Sequence, residues 1–150
     1  MKMRTKHVLV AAAVALATSG VAQASDNDDQ GKACSDATLR GLYIFNASGF
    51  NIVAGVAQPK AIVELIHFNG DGTLTVPAAT VSINGAITRS PPNGPGTYTV
   101  GPDCTGSLVF GPPGPTFDLF VAPRGSEVYM IQTGGAVPGV LQGVAERLSH

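Results

Sequence analysis

A carboxylate stands on the apolar face of Ala61–Phe68, the segment with the strongest strand character in the sequence. Side chains alternate between the two faces of a strand, so Glu64 shares its face with Ile62, Ile66 and Phe68. If this face is the interior, Glu64 needs a donor, a ligand or water, because burying an unpartnered carboxylate is costly. It would then be a polar group inside a ligand cavity, with a raised pKa. If the faces are reversed, or Glu64 lies at a solvated rim, it has no such role.

Tyrosines are the other side chains that could bring polar groups to such a cavity. We take Tyr43 and Tyr129, together with Glu64, as candidate ligand-binding residues; Tyr98 is the third tyrosine. Tyrosine more often packs its ring in a core and sends its hydroxyl to a nearby carbonyl. Asp118 lies opposite the more consistently apolar face of its strand, so we expect this carboxylate to point outward.

No group of residues in the sequence matches a catalytic or metal-binding pattern. Once the export signal described below is removed, only His67 and the terminal His150 remain, too few for a three-histidine zinc site. His67 is expected to be an exposed strand residue. No serine has the G-x-S-x-G surroundings of a hydrolase nucleophile, and no glycine motif is placed to cradle a phosphate. We therefore predict no catalytic residue, no metal and no cofactor.

The first 24 residues have the three parts of a secretory signal. The basic head contains Lys2, Arg4 and Lys6. A short apolar run follows at Val8–Ala17, and small residues at Ala22–Ala24 form the cleavage site. The apolar run is shorter than the roughly 20 residues needed to span a bilayer. We predict Sec-type export with cleavage after Ala24, a bacterial periplasmic or secreted protein, and no membrane anchor after cleavage.

Two cysteines, Cys34 and Cys104, remain in the exported chain. In an oxidising compartment the expected outcome is one disulfide, which would close a long loop. The chain-entropy treatment assigns such a loop roughly 4 kcal/mol of stabilisation. Two separate buried thiols are the alternative.

Composition limits the partners. The predicted signal holds three of the nine Lys and Arg and none of the ten Asp and Glu, which leaves six basic and ten acidic residues and a net charge of −4. A chain so poor in basic residues has no patch for phosphate backbones, so nucleic acid is excluded as an expected partner. The same count argues against binding to anionic lipid. The sequence carries no signal for an oligomeric state.

In the rest of the chain, turn-forming residues are spaced as in an all-β domain. Nineteen Gly and eleven Pro separate short apolar runs, and no helical periodicity is sustained. After a flexible leader at 25–33, we expect one domain at 34–150, with Pro77 marking a bulge or an edge. About eight strands favour a small antiparallel meander barrel, with a β-sandwich as the alternative. The expected strand segments are Leu42–Asn46 with a continuation at Phe50–Val53, Ala61–Phe68, Thr73–Val76, Thr80–Asn84, Ala86–Arg89, Gly96–Val100, Gly106–Phe110, Thr116–Ala122, Glu127–Thr133 and Val140–Leu148.

Four strings carry a resemblance to known proteins. They are Cys34–Tyr43 (CSDATLRGLY), Phe68–Gly72 (FNGDG), Gly96–Val100 (GTYTV) and Pro102–Gly106 (PDCTG). Together they resemble a family of small secreted bacterial proteins without an assigned activity, in which two cysteines flank a β-meander. In strand count and turns the chain is also similar to the calycin-like barrels of allene oxide cyclase and dirigent proteins. The resemblance implies paired cysteines and a barrel, and it carries over no catalytic residue.

These observations favour a binding or interaction module over an enzyme. The expected partner is a small apolar ligand held in the barrel. A cofactor-free isomerase or cyclase that uses the Glu64 carboxylate is one alternative. A surface-interaction protein that presents the loops Ser90–Pro95 and Gly111–Pro115 is another.

Overall fold

A computed structural model gives the structure of residues 33–149. The predicted signal at 1–24 and nearly all of the leader at 25–33 lie outside the described residues. Nine strands and two single-turn 3-10 segments, Asp36–Thr38 and Pro123–Gly125, make up the described chain. The strands are β1 (Arg40–Val53), β2 (Val56–Asn69), β3 (Thr73–Ile83), β4 (Ala86–Arg89), β5 (Gly94–Val100), β6 (Thr105–Phe110), β7 (Thr116–Val121), β8 (Glu127–Gly134) and β9 (Gly139–Ser149).

Eight of these strands form a closed antiparallel barrel. The hydrogen-bonded order is β2-β1-β9-β8-β7-β6-β5-β3, and pairing of β2 with β3 closes the ring. The predicted all-β barrel is therefore confirmed, and the sandwich alternative is not the fold. Strand direction brings the β1–β2, β3–β4, β6–β7 and β8–β9 connections to one end, which we call the upper end. The opposite, lower end carries the 3-10 segment Asp36–Thr38 and the β2–β3, β5–β6 and β7–β8 connections.

Pro77 lies at an irregularity inside β3, as predicted. Val76 and Pro77 together oppose the single residue Ile66 of β2, so the register shifts there. On its other side, β3 pairs with β5 through Thr73–Val76 and with the short β4 through Thr80–Ile83. A proline has no N–H to donate to a ladder and is accommodated at such a bulge. The bulge therefore marks the point where β3 changes from one partner to the other.

Alternation of side chains defines the barrel interior. On β7, Phe117, Leu119 and Val121 are buried while Asp118 and Phe120 are exposed, which confirms the outward direction expected for Asp118. On β2, Ile62, Ile66 and Phe68 are buried and His67 is exposed. The face that contains Glu64 is therefore the interior face, the first of the two interpretations of this strand.

The interior aromatic rings form two edge-to-face groups. In the lower half, the Phe68 ring contacts Tyr43 and Tyr98, with centroid distances of 5.0 and 4.9 Å. Further up, the Phe117 ring contacts Phe45 and Phe110, at 5.9 and 5.8 Å. Edge-to-face contacts place the positive ring edge against a negative ring face and add to the energy of burial. The lower half is filled by side chains of the protein itself.

The segment before β1 closes the lower end through polar contacts. Asp36 accepts a hydrogen bond from the Val100 N–H at 2.7 Å. The Tyr98 hydroxyl accepts from the Gly70 N–H at 3.0 Å and lies 2.9 Å from both the Asp36 and the Leu39 carbonyl oxygens, one of which takes its proton. These bonds satisfy backbone groups that packing alone would leave buried without partners.

Tyr43 and Arg147 hold the other side of the lower end. The Tyr43 hydroxyl donates to the Gly125 carbonyl at 2.7 Å and accepts from Arg147 Nε at 2.8 Å. Arg147 Nη2 also donates to the Thr38 carbonyl at 2.8 Å. The guanidinium thereby links the last strand, the β7–β8 connection and the segment that precedes β1.

A disulfide joins Cys34 to Cys104, as predicted, across 70 positions of sequence. It fixes the start of the described chain to the β5–β6 turn at the lower end. Cys104 has a φ of +63°, so the turn that carries it is left-handed at this residue. A disulfide is compatible with a secreted or periplasmic protein, because cytosolic thiols are kept reduced.

Candidate functional site

A cavity of about 300 Å³ occupies the upper half of the barrel, above the Phe117 aromatic group. It is bordered by β1, β2, β3, β5, β6 and β7, by the β4–β5 connection and by the β6–β7 loop. The two Pro-rich loops, Ser90–Pro95 and Gly111–Pro115, both contribute to its wall. Most of the wall is apolar, and the lining residues are Phe45, Lys60, Ile62, Glu64, Val76, Val81, Ile83, Ser90, Pro91, Gly94, Pro95, Phe110, Gly111, Pro115 and Phe117.

Glycine at position 94 creates part of this space. Gly94 faces inward at the start of β5, and a Cβ atom built on it would meet only the Val76 side chain, at 3.9 Å. Its φ lies outside the left-handed region, so no backbone conformation special to glycine is required there. Gly94 is therefore a position where a larger side chain would fill the cavity without displacing the strand.

Glu64 is the acidic group of the cavity wall. It is partly buried, and its side chain faces the barrel interior from β2, between Ile62 and Ile66. Within residues 33–149, its carboxyl group forms no hydrogen bond. Burial raises the pKa of Glu64 from 4.5 to about 7, and the positive charge of Lys60 opposes part of that rise. The carboxyl group thus changes charge close to neutral pH.

Lys60 is the basic group of the same wall and was not a predicted site residue. It lies four residues before Glu64 on β2, nearer the upper end, with Ile62 between the two on the shared face. Burial lowers the pKa of Lys60, while the negative charge of Glu64 raises it. The predicted strand began at Ala61, so Lys60 was excluded from it. Extending the alternation by one residue would have placed Lys60 on the Glu64 face.

The other two candidate residues lie elsewhere. Tyr43 is fully buried at the lower end, where Gly125 and Arg147 bind its hydroxyl, and burial raises its pKa. Tyr129 is on the outer face of β8, half exposed, and donates to Glu127 at 2.8 Å. Neither tyrosine lines the cavity that contains Glu64. The structure therefore does not bring the three candidate ligand-binding residues together.

Tyr129 instead borders a groove on the outer surface of β1, β7, β8 and β9. The groove has a volume of about 680 Å³ and includes the exposed side chains of Phe120 and Ile131. Phe120 pairs directly with Tyr129 across the β7–β8 ladder. Because this groove follows the outside of the sheet, a small molecule in it would stay in contact with water. The interior cavity is the better candidate site for such a molecule.

Two buried amide oxygens lie between β1, β8 and β9 at the upper end. Asn51 Oδ1 and Gln132 Oε1 have no hydrogen-bond partner among the described residues. The point that a Cβ atom of Gly139 would occupy is 3.5 Å from the first and 3.3 Å from the second. Both oxygens are enclosed by protein, so they do not belong to the wall of the cavity.

The described part of the chain offers no group of three or more His, Cys, Asp or Glu side chains arranged to hold a metal ion. Among the same residues, no helix has the length and apolar character to cross a membrane. No family model, curated protein or solved structure matches the chain. The barrel implied by the resemblance to small secreted bacterial proteins is confirmed, while the kinship itself and the likeness to allene oxide cyclase and dirigent barrels stay predictions.

Proposed function

We propose that the protein binds a small apolar molecule in the cavity of its upper half. The observation that supports this is a space of about 300 Å³ with apolar walls inside a barrel whose lower half is filled. Ligand pockets in proteins begin at about this size, and an apolar cavity of roughly 150 Å³ already binds benzene. The ligand we expect is therefore an aromatic ring, or an aliphatic group of similar size, with a short substituent.

Export is the second part of the proposal. The basic, apolar and small-residue pattern of residues 1–24 supports it, and the Cys34–Cys104 disulfide is compatible with it. We expect the protein from its native host to begin at Ser25 and to act in the periplasm or outside the cell. Mass measurement of that protein would give the mass of residues 25–150 less two hydrogens. A full-length mass with both thiols free would contradict export.

A cavity-filling variant tests the binding function. Gly94→Leu places a side chain in the cavity beside Val76, where space is open. We expect it to abolish saturable binding of ethylbenzene, an apolar probe of suitable size, followed by isothermal calorimetry. Thr97→Leu is the matched control, because Thr97 lies on the same strand with an exposed, outward side chain. Equal binding by the wild type and both variants, or no binding by any of them, would refute the proposed function.

An isomerase or cyclase without a cofactor is the second candidate, favoured by one observation. A carboxyl group with a pKa of about 7 in an apolar cavity is suited to general acid–base chemistry near neutral pH. Any turnover found by screening should then be lost in Glu64→Gln and kept in Asp118→Asn, whose carboxylate is exposed on the outside. Turnover unchanged in Glu64→Gln would eliminate this candidate.

A further inference from the structure

We propose that the ligand of the cavity carries an amine, and that its protonated nitrogen donates hydrogen bonds to the Glu64 carboxylate. This inference rests on the proposed binding function and specifies the chemical class of the ligand. It follows from the positions of Glu64 and Lys60 in the cavity and from the absence of a hydrogen bond to the carboxylate within residues 33–149.

The Glu64 carboxylate accepts no hydrogen bond from residues 33–149, and the charge it interacts with there is that of Lys60. The strands on either side of β2 present apolar interior side chains to it, Phe45 and Ala47 from β1 and Val76, Ala79 and Val81 from β3. Among the described residues, Lys60 is the one titratable side chain besides Glu64 that lines the cavity. An ionised Glu64 therefore carries a charge that is shielded from water and has no compensating hydrogen bond, which is unfavourable. A donor that arrives with the ligand supplies that bond.

Of the possible donors, an ammonium group compensates most for the hydration that the carboxylate loses. Hydrogen bonds between charged partners are shorter and about twice as strong as those between neutral groups. A neutral alcohol donates one hydrogen bond to the carboxylate but brings no opposite charge, so it compensates less than an ammonium group. A carboxylic acid ligand would meet a like charge deep in the cavity. The apolar walls then hold the hydrocarbon part of the amine.

Lys60 does not block an amine. It lies nearer the upper end than Glu64, is partly exposed, and carries its charge on a flexible four-carbon stem. Its ammonium group can stay in water while the stem covers the apolar wall. The repulsion it exerts on an amine is a measurable part of the proposal. Lys60→Gln should bind the amine more tightly than the wild type at about pH 8.5, because the repelling charge is then gone.

Three probes of nearly equal shape test the inference: 2-phenylethylamine, 2-phenylethanol and ethylbenzene. At about pH 8.5, above the Glu64 pKa of about 7, we expect the amine to bind roughly tenfold more tightly than ethylbenzene, as a charged hydrogen bond predicts. At about pH 5.5 the advantage should disappear, because Glu64 is then protonated. Glu64→Gln should remove the advantage at both pH values, and Asp118→Asn should keep it.

The outcomes separate the inference from the function on which it rests. If the wild type binds all three probes equally at both pH values, and Gly94→Leu abolishes binding, the cavity binds ligands but the amine inference is wrong. If no probe binds, the proposed function is wrong as well. The pH dependence is measured on the wild type, so the test stands even if Glu64→Gln does not fold.

Discussion

Lys60 and Glu64 project from one face of β2 into the same cavity, and Ile62 separates them along the strand. Two opposite charges in one apolar space would ordinarily be expected to pair, because pairing offsets the loss of hydration. Their placement leaves Glu64 in the interior, without a hydrogen bond from any residue between 33 and 149, and Lys60 nearer the upper end. The cavity therefore contains, below Lys60, a carboxyl group whose charge changes near neutral pH, and both ligand binding and stability should respond to that change.

The stability of the protein should depend on pH through Glu64. The folded state binds the Glu64 proton more tightly than the unfolded chain, with a pKa of about 7 against 4.5. Stability from this group is therefore fully present below about pH 4.5 and is lost as pH rises toward 7. The loss amounts to about 3 kcal/mol. Relative to the wild type, Glu64→Gln should gain about that much unfolding free energy between pH 4 and pH 8, measured by urea denaturation.

A matched carboxylate shows whether this gain is specific. Asp118→Asn removes an acid from the outer face of β7 and should show no comparable change between the two pH values. A Glu64→Gln difference that is the same at both pH values would contradict an interior, unpartnered Glu64.

Removal of the disulfide should destabilise the lower end and leave the ligand site in place. Cys34→Ser with Cys104→Ser opens a loop of 70 positions, and we expect a loss of roughly 4 kcal/mol of unfolding free energy. Ethylbenzene should still bind under conditions where the variant is folded, because the cavity lies in the other half of the barrel. Loss of binding by a folded double variant would show that the two halves are not independent.

The buried tyrosine at the lower end should matter more than the exposed one. Tyr43→Phe removes a hydroxyl that donates to Gly125 and accepts from Arg147, which leaves buried groups unsatisfied. We expect a loss of about 1–3 kcal/mol in chemical denaturation. Tyr129→Phe removes a hydroxyl that is exposed and donates to the Glu127 carboxylate, and it should leave the unfolding free energy unchanged. Equal effects of the two substitutions would contradict the closure described here.

Gly125 should be intolerant of a side chain for two separable reasons. Its φ is +65°, and a Cβ atom there would collide with the Thr38 carbonyl oxygen. Gly55, in the β1–β2 turn, has a φ of +79° but open space around it. Gly55→Ala should therefore cost about 1–2 kcal/mol from backbone strain alone, and Gly125→Ala distinctly more, by thermal or chemical unfolding. Equal costs would mean that the Thr38 contact is absent.

Local patterns predicted the barrel well, because strand character and turns are encoded in neighbouring residues. The alternation around Glu64 identified the interior face, and Pro77 identified the bulge in β3. The start of β2 was missed because Pro59 and its polar neighbours lack strand character. Those residues are strand because they pair with the end of β1, for example Pro59 with Phe50.

The lower end could not be predicted from local patterns. The Tyr98 hydroxyl meets the Asp36 carbonyl across 62 positions, and the Tyr43 hydroxyl meets Arg147 across 104. Such contacts depend on how the barrel closes, which no short segment specifies. For the same reason Tyr43 and Tyr129 were grouped with Glu64 by chemical type, although they lie in different parts of the molecule.

The most direct test of the central claim is an NMR titration of the wild-type protein with ethylbenzene. The account predicts saturable shift changes at the amides of Ile62, Val81 and Gly94, which border the cavity. It predicts little change at Phe120 and Ile131 in the outer groove. Changes confined to the outer groove, or no saturable change at all, would contradict an interior ligand site.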